Sequence, residues 1–165
     1  MSSSIFSTQA ESFPLAHILY VGYMHEIPED KRKGNNTHSF KLLTTSGVFY
    51  CNFSDPDTAN KSHSVVTRMM NETKVCLFKN GKELLDSSKV SSFSKVLPLK
   101  KTDNGFTHAL IVTLDMAADD KTKQVWFHYK SEDAARNARK ALYALIMSLS
   151  DTGEPAEQEL EATPA

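Results

Sequence analysis

The chain has 165 residues, 40% of them apolar and 24% charged, with six glycines, six prolines and two cysteines. Those proportions exclude collagen-like, wholly disordered and disulfide-scaffold classes, and the length suits one soluble domain able to bury a core without staples. Nineteen basic against twenty acidic residues leave a formal charge of −1, which taken whole argues against an anionic partner.

The first residues, MSSSIFSTQAES, are Ser-rich and are expected to form a flexible N-terminus over 1–12. No basic n-region precedes them and no stretch approaches the ~18 apolar residues of a membrane span. A cytoplasmic protein with no membrane partner is expected. The sequons at Asn35, Asn52, Asn60 and Asn71 then read as chance matches. Three strand-like runs follow: AHILYVGYM (16–24), HSFKLLTT (38–45) and GVFYCNF (47–53). A helix is expected from SDPDTANKSHSVVTRMMN, with Asp55 as cap and Pro56 at the first helical position, where its missing N–H costs nothing. Its apolar stripe is Ala59, Ser62, Val65, Val66, Met69 and Met70.

The segment KVCLFKNGKELLD (74–86) reads as a linking strand with a turn at Asn80-Gly81. Three more strand runs come next: VSSFSKVLPL (90–99), THALIVTLD (107–115) and KQVWFHYK (123–130). The strongest helical signal, SEDAARNARKALYALIMSL, begins at Ser131 as cap with Glu132 and Asp133 in the first turn, where carboxylates favour the helix dipole. Its stripe is Ala135, Ala138, Ala141, Leu142, Leu145, Ile146 and Leu149. The last fifteen residues hold five acids, no base and a single Leu, so 151–165 is expected to be a disordered acidic tail.

Adding 76 to the first helix stripe lands on the second, and Phe53 set on Tyr129 puts Tyr50 on Trp126 and Asn52 on His128. The matching order points to an α+β fold of two tandem βββα repeats, with antiparallel sheets backed by helices. The first repeat spans 13–73. The second, with its linking strand, spans 74–150.

Strand alternation places Phe49, Cys51, Phe53 and Val125, Phe127, Tyr129 toward the helices. Tyr50, Asn52, Trp126, His128 and Lys130 then fall on the opposite sheet face. Exposed aromatics there would stack the bases of single-stranded nucleic acid; covered by the other half or a second subunit, they would be core. Both readings stand at this point. The loop EIPEDKRKGNNT carries Lys31, Arg32 and Lys33, and LKKTDNGF at the matching place carries Lys100 and Lys101. Turn geometry explains the Asn and Gly residues but not the cations. These loops are either solvated or grip phosphate.

The six histidines occur singly, without metal-ligand spacing. Cys51 and Cys76 are 25 residues apart and outside any C-x-x-C motif, which suits buried free thiols. Nucleophile-elbow and phosphate-loop motifs are absent. No enzyme, metal or cofactor is expected. Dividing the charge at Ser150 gives nineteen bases against fifteen acids for residues 1–150, a net of +4. That removes the objection to an anionic partner.

The duplicated sheet-then-helix order over roughly 14–150, with Tyr50 and Trp126 on the open face, resembles PUR-type repeats and, less closely, Whirly-type proteins. The Arg-Gly-rich strand of PUR repeats is missing; its nearest counterparts are FKNGKEL and HALIVTL. The resemblance implies a non-enzymatic protein that holds single-stranded DNA or RNA. Tyr50 and Trp126 would stack bases. Lys31, Arg32, Lys33, Lys100, Lys101 and Lys130 would meet phosphate, and Asn52 and His128 would hydrogen-bond to bases or sugar. The alternative is an assembly subunit, an adaptor or a viral or mobile-element accessory protein, that uses the same surfaces as an oligomer interface in a homodimer. The acidic tail is expected either to be a solubilising extension, to compete with nucleic acid for the basic surface, or to be presented to protein partners. A pleckstrin-homology-like module ending in a helix is a third reading.

Overall fold

The computed structural model describes residues 5–100, 104–115 and 124–149. The acidic segment 151–165 expected to be disordered therefore lies outside the described residues. Among the described residues the fold is α+β, with antiparallel strand pairs and two α-helices. It opens with a hairpin of β1 (Ile5–Ser7) and β2 (Ser12–Pro14) where composition suggests a flexible terminus. Phe6 and Phe13 face each other across this hairpin and are both buried, and the burial of two phenyl rings outweighs the pull of the serines toward solvent.

A 3-10 turn at Leu15–His17 leads into β3 (Ile18–Val21), all four residues of which are buried. β4 (His25–Glu26), β5 (His38–Thr44) and β6 (Gly47–Phe53) follow, then α1 (Pro56–Thr73). The run 16–24 is thus a turn and a shorter strand. The Asp55 side chain accepts from the Thr58 N–H at 2.8 Å, so α1 starts where its cap and proline place it.

The 74–86 segment forms two strands, β7 (Leu77–Asn80) and β8 (Glu83–Asp86), joined through Gly81 at φ 63°. That left-handed conformation is open to glycine without a Cβ penalty. β8 pairs with β3, Tyr20 opposite Leu85 and Val21 opposite Leu84. The expected link within the second half therefore extends the first sheet, which runs β6, β5, β3, β8, β7, with β4 also on β5.

β9 (Val90–Phe93), β10 (Leu97–Pro98), β11 (His108–Leu114) and β12 (Gln124–Tyr129) make the second sheet, followed by α2 (Glu132–Leu149). The run 90–99 is broken at Ser94, whose Oγ accepts the Ile111 N–H at 3.0 Å in place of a backbone carbonyl. β11 holds β9 and β10 on one side and β12 on the other.

Among the described residues two apolar clusters result. One gathers Phe6, Phe13, Ile18, Phe40, Leu42, Cys51, Val66 and Met70 between the first hairpin, the first sheet and α1. The other gathers Phe78, Leu85, Leu110, Val112, Phe127, Ala135 and Leu142 between the second hairpin, the second sheet and α2. The buried face of α1 holds Ala59, His63, Val66 and Met70, so His63 lies where the stripe places Ser62. Its Nε2–H donates to the Gly22 carbonyl at 2.8 Å and its ring meets Phe40 edge-on at 5.1 Å, which satisfies the imidazole indoors. On α2, Ala141 and Leu149 are exposed despite their place on the stripe.

Adjacent residues of β12 separate the two faces of its sheet. Phe127, fully buried edge-on to Tyr20 and Phe78, should cost about 3–5 kcal/mol on truncation to Ala. Trp126→Ala, on the open face, should leave the unfolding free energy from urea denaturation within about 1 kcal/mol of the wild type. Equal losses would contradict the facing of this strand.

Candidate nucleic-acid interface

Register fixes which side chains share each sheet face, and along both faces some of them, Ser39 and Ala109 among them, are buried. On the first sheet Lys41 lies opposite Tyr50 and Ser39 opposite Asn52, so each pair projects to one side of the pleat. On the second sheet Ile111 lies opposite Trp126 and Ala109 opposite His128. Tyr50 is 59% and Trp126 48% exposed, so neither ring belongs to the core of this chain. Asn52, His128 and Lys130 are exposed as well.

The second face carries a continuous aromatic strip. Trp126 and His128 lie nearly parallel, with ring centroids 6.4 Å apart and planes 24° apart, and Phe106 follows at 5.8 Å from His128. Lys130 holds its Nζ 5.9 Å from the Phe106 centroid, a cation–π distance. On the first face Tyr23, 58% exposed, stands edge-on to His25 at 6.0 Å, and His25 pairs with Ser39. Sequence reasoning missed Lys41, Tyr23, His25 and Phe106. The alternation of HSFKLLT held a signal for Lys41. Tyr23 and Phe106 sit in or beside loops, where no periodicity marks a face.

Of the loop cations, Lys31 and Lys33 are exposed. Arg32 braces its own loop: Nε donates to the Ile27 carbonyl at 2.8 Å and the guanidinium meets Glu26 at 2.8 Å. Lys100 is exposed, and Lys101 lies outside the described residues. Both loops return at the strand ends that carry Asn52 and His128, since the Thr37 N–H donates to the Phe53 carbonyl and the Thr107 N–H to the Tyr129 carbonyl, each at 2.8 Å.

One carboxylate lies between the faces. Glu83 accepts from the Tyr20 hydroxyl and, at 3.0 Å, from the Asn80 amide. Burial raises its pKa, opposed by those two bonds and by the charges of His128 and Lys41. Lys41 belongs to the first face and His128 to the second, so Glu83 lies within electrostatic reach of both. Burial, and then Glu83 itself, pushes the Tyr20 hydroxyl upward. The Tyr129 hydroxyl, raised by the same two causes, has no hydrogen-bond partner among the described residues. Nor do the described residues contain a cluster of three His, Cys, Asp or Glu placed to hold a metal ion.

No described helix is long and apolar enough to cross a membrane. The chain matches no known protein family, no curated protein and no solved structure.

Because Glu83 has a folded pKa above its ordinary 4.5, its contribution to stability is complete below about that pH and is lost as pH rises through the folded value. Glu83→Gln should abolish this loss, so the variant gains on the wild type in urea denaturation as pH rises above 4.5. Parallel stability curves would contradict the assignment.

Proposed function

We propose that the chain is a duplicated sheet-and-helix unit that holds single-stranded nucleic acid on its open sheet faces. The observation that carries the reading is the matched pair of exposed side chains on the strand before each helix, Tyr50 with Asn52 and Trp126 with His128. A planar ring beside a hydrogen-bonding group suits an unpaired base, which offers a π-face and polar edges.

The duplication is supported by details finer than element order. A shift of 72 carries the hairpin, 3-10 turn and strand of the first half onto those of the second. The Thr37 hydroxyl meets His38 Nδ1 at 2.7 Å, and the Thr107 hydroxyl meets His108 Nδ1 at 2.8 Å. Both sheets also slip register at one place, between Ile18 and Tyr20 on β3 and between Thr113 and Leu114 on β11. The repeating unit in this reading is longer than βββα, because a hairpin and a 3-10 turn precede each set of strands.

Among the described residues, Lys41, Lys130, Lys31, Lys33 and Lys100 are cations available to phosphates along such a track. Arg32 contributes by shaping its loop. Labelled oligo-thymidine should bind with an affinity that falls as salt rises. Trp126→Ala and Tyr50→Ala should each weaken it roughly tenfold, the scale of one lost base stack. Salt-independent binding, or affinity unchanged by both substitutions, would overturn the reading.

A further inference from the structure

The opposite side of the first sheet carries a feature that the open faces do not use. Between α1 and the β7–β8 hairpin lies a cavity of about 370 Å³. Met24 and Leu84 give it an apolar floor, Asn60 and Ser64 of α1 line one wall, and Lys79 and Lys82 flank the other around the Gly81 turn. No Asp or Glu lines it. Neither lysine forms an ion pair among the described residues, in contrast to Lys74, whose ammonium is held by Asp86 at 2.9 Å. His63, at the base of the cavity, already uses Nε2 on Gly22, and the Lys82 charge acts on its ring.

We propose that this cavity binds a phosphate group carried on a nucleotide-sized ligand. Three properties of the lining support that class. Two unpaired ammonium groups on one rim concentrate positive potential in a chain whose formal charge is only −1. The hydroxyl and amide of Ser64 and Asn60 make no hydrogen bond within the described residues and suit sugar hydroxyls or phosphate oxygens. The volume falls in the range of small-molecule sites, and the apolar floor offers a surface to a sugar or base. Lysine binds phosphate as a point charge without the planar matching that arginine demands, which fits a hairpin tip with two of them. The phosphate could come from a free nucleotide or from the backbone of a bound strand. This site shares no residue with the open faces, so Trp126→Ala and Tyr50→Ala test that reading while substitutions of Lys79 and Lys82 test this one.

Calorimetric titration of the full chain with adenosine 5′-monophosphate, and separately with oligo-thymidine, tests it. The comparison variant is Lys79→Glu/Lys82→Glu, with Lys79→Arg/Lys82→Arg as the charge-conserving control. Both should melt within a few degrees of the wild type, since the two side chains are exposed. Nucleotide binding that inorganic phosphate competes away, that falls at least tenfold in the Glu variant and that survives in the Arg variant supports the site with a free nucleotide as the source. Absence of nucleotide binding, together with loss of oligo-thymidine affinity in the Glu variant alone, supports it with a strand backbone as the source. If neither affinity differs between the wild type and the Glu variant, the proposal is overturned. Nucleotide binding without any oligo-thymidine binding would remove the reading of the open faces and leave this one standing.

Discussion

Two cross-strand pairs, Tyr20 with Leu85 and Val21 with Leu84, hold the two halves together. They seat the β7–β8 hairpin on the edge of the first sheet. Its two faces then serve different cores: Leu84 packs in the cluster with α1, while Leu85 and Phe78 pack in the cluster with Phe127 and α2. Unpairing β3 from β8 would open both clusters at once, which couples the halves into one cooperative body. The Lys74–Asp86 ion pair sits where the chain leaves α1 for this hairpin, with both side chains largely buried. Burial opposes the Asp86 charge, but bonds from Ser88 and Lys74 hold its pKa below the usual carboxylate value. Such a pair adds little net stability over an apolar contact.

The same pairing is not continued at either end. In the duplicated-unit reading, the counterparts of Leu84, Leu19 and Tyr20 are Ser12, Ser91 and Ser92. In that reading serine stands in place of the side chains that make the joint dry. Accordingly Ser12, Ser91 and Ser92 are exposed, whereas their three counterparts are buried. Polar residues on open strand edges discourage further pairing, so the first hairpin stays a two-stranded sheet of its own.

The joint also defines what stays open. The second cluster covers the first sheet at Leu19, Tyr20 and Leu43, with Val48 packed against it, and farther along β5 and β6 the side chains of Lys41, Tyr50 and Asn52 reach solvent on that side. Trp126 and His128 are open because the helix and hairpin of their own half occupy the other side of β12. Both helices pack behind the sheets, so the chain presents polar and aromatic groups on strands, which hold side chains at fixed spacing better than loops do.

Most elements were legible in the sequence, because each one closes on local chemistry. Asp55-Pro56 and Ser131 set the helix starts, Asn80-Gly81 set the hairpin turn, and period-two alternation separated Phe127 from Trp126. Which neighbour covers a face is not local. Exposure of Tyr50 and Trp126, pairing of β8 with β3, burial of His63 in place of Ser62 and the loss of Arg32 to its own loop all depend on residues distant in the chain or on loop geometry that no periodicity encodes. Patterning determines the elements and their inner faces, because it needs only neighbours within a helical turn or a strand; the strand partners, and hence the surfaces left open, were decided only by tertiary packing.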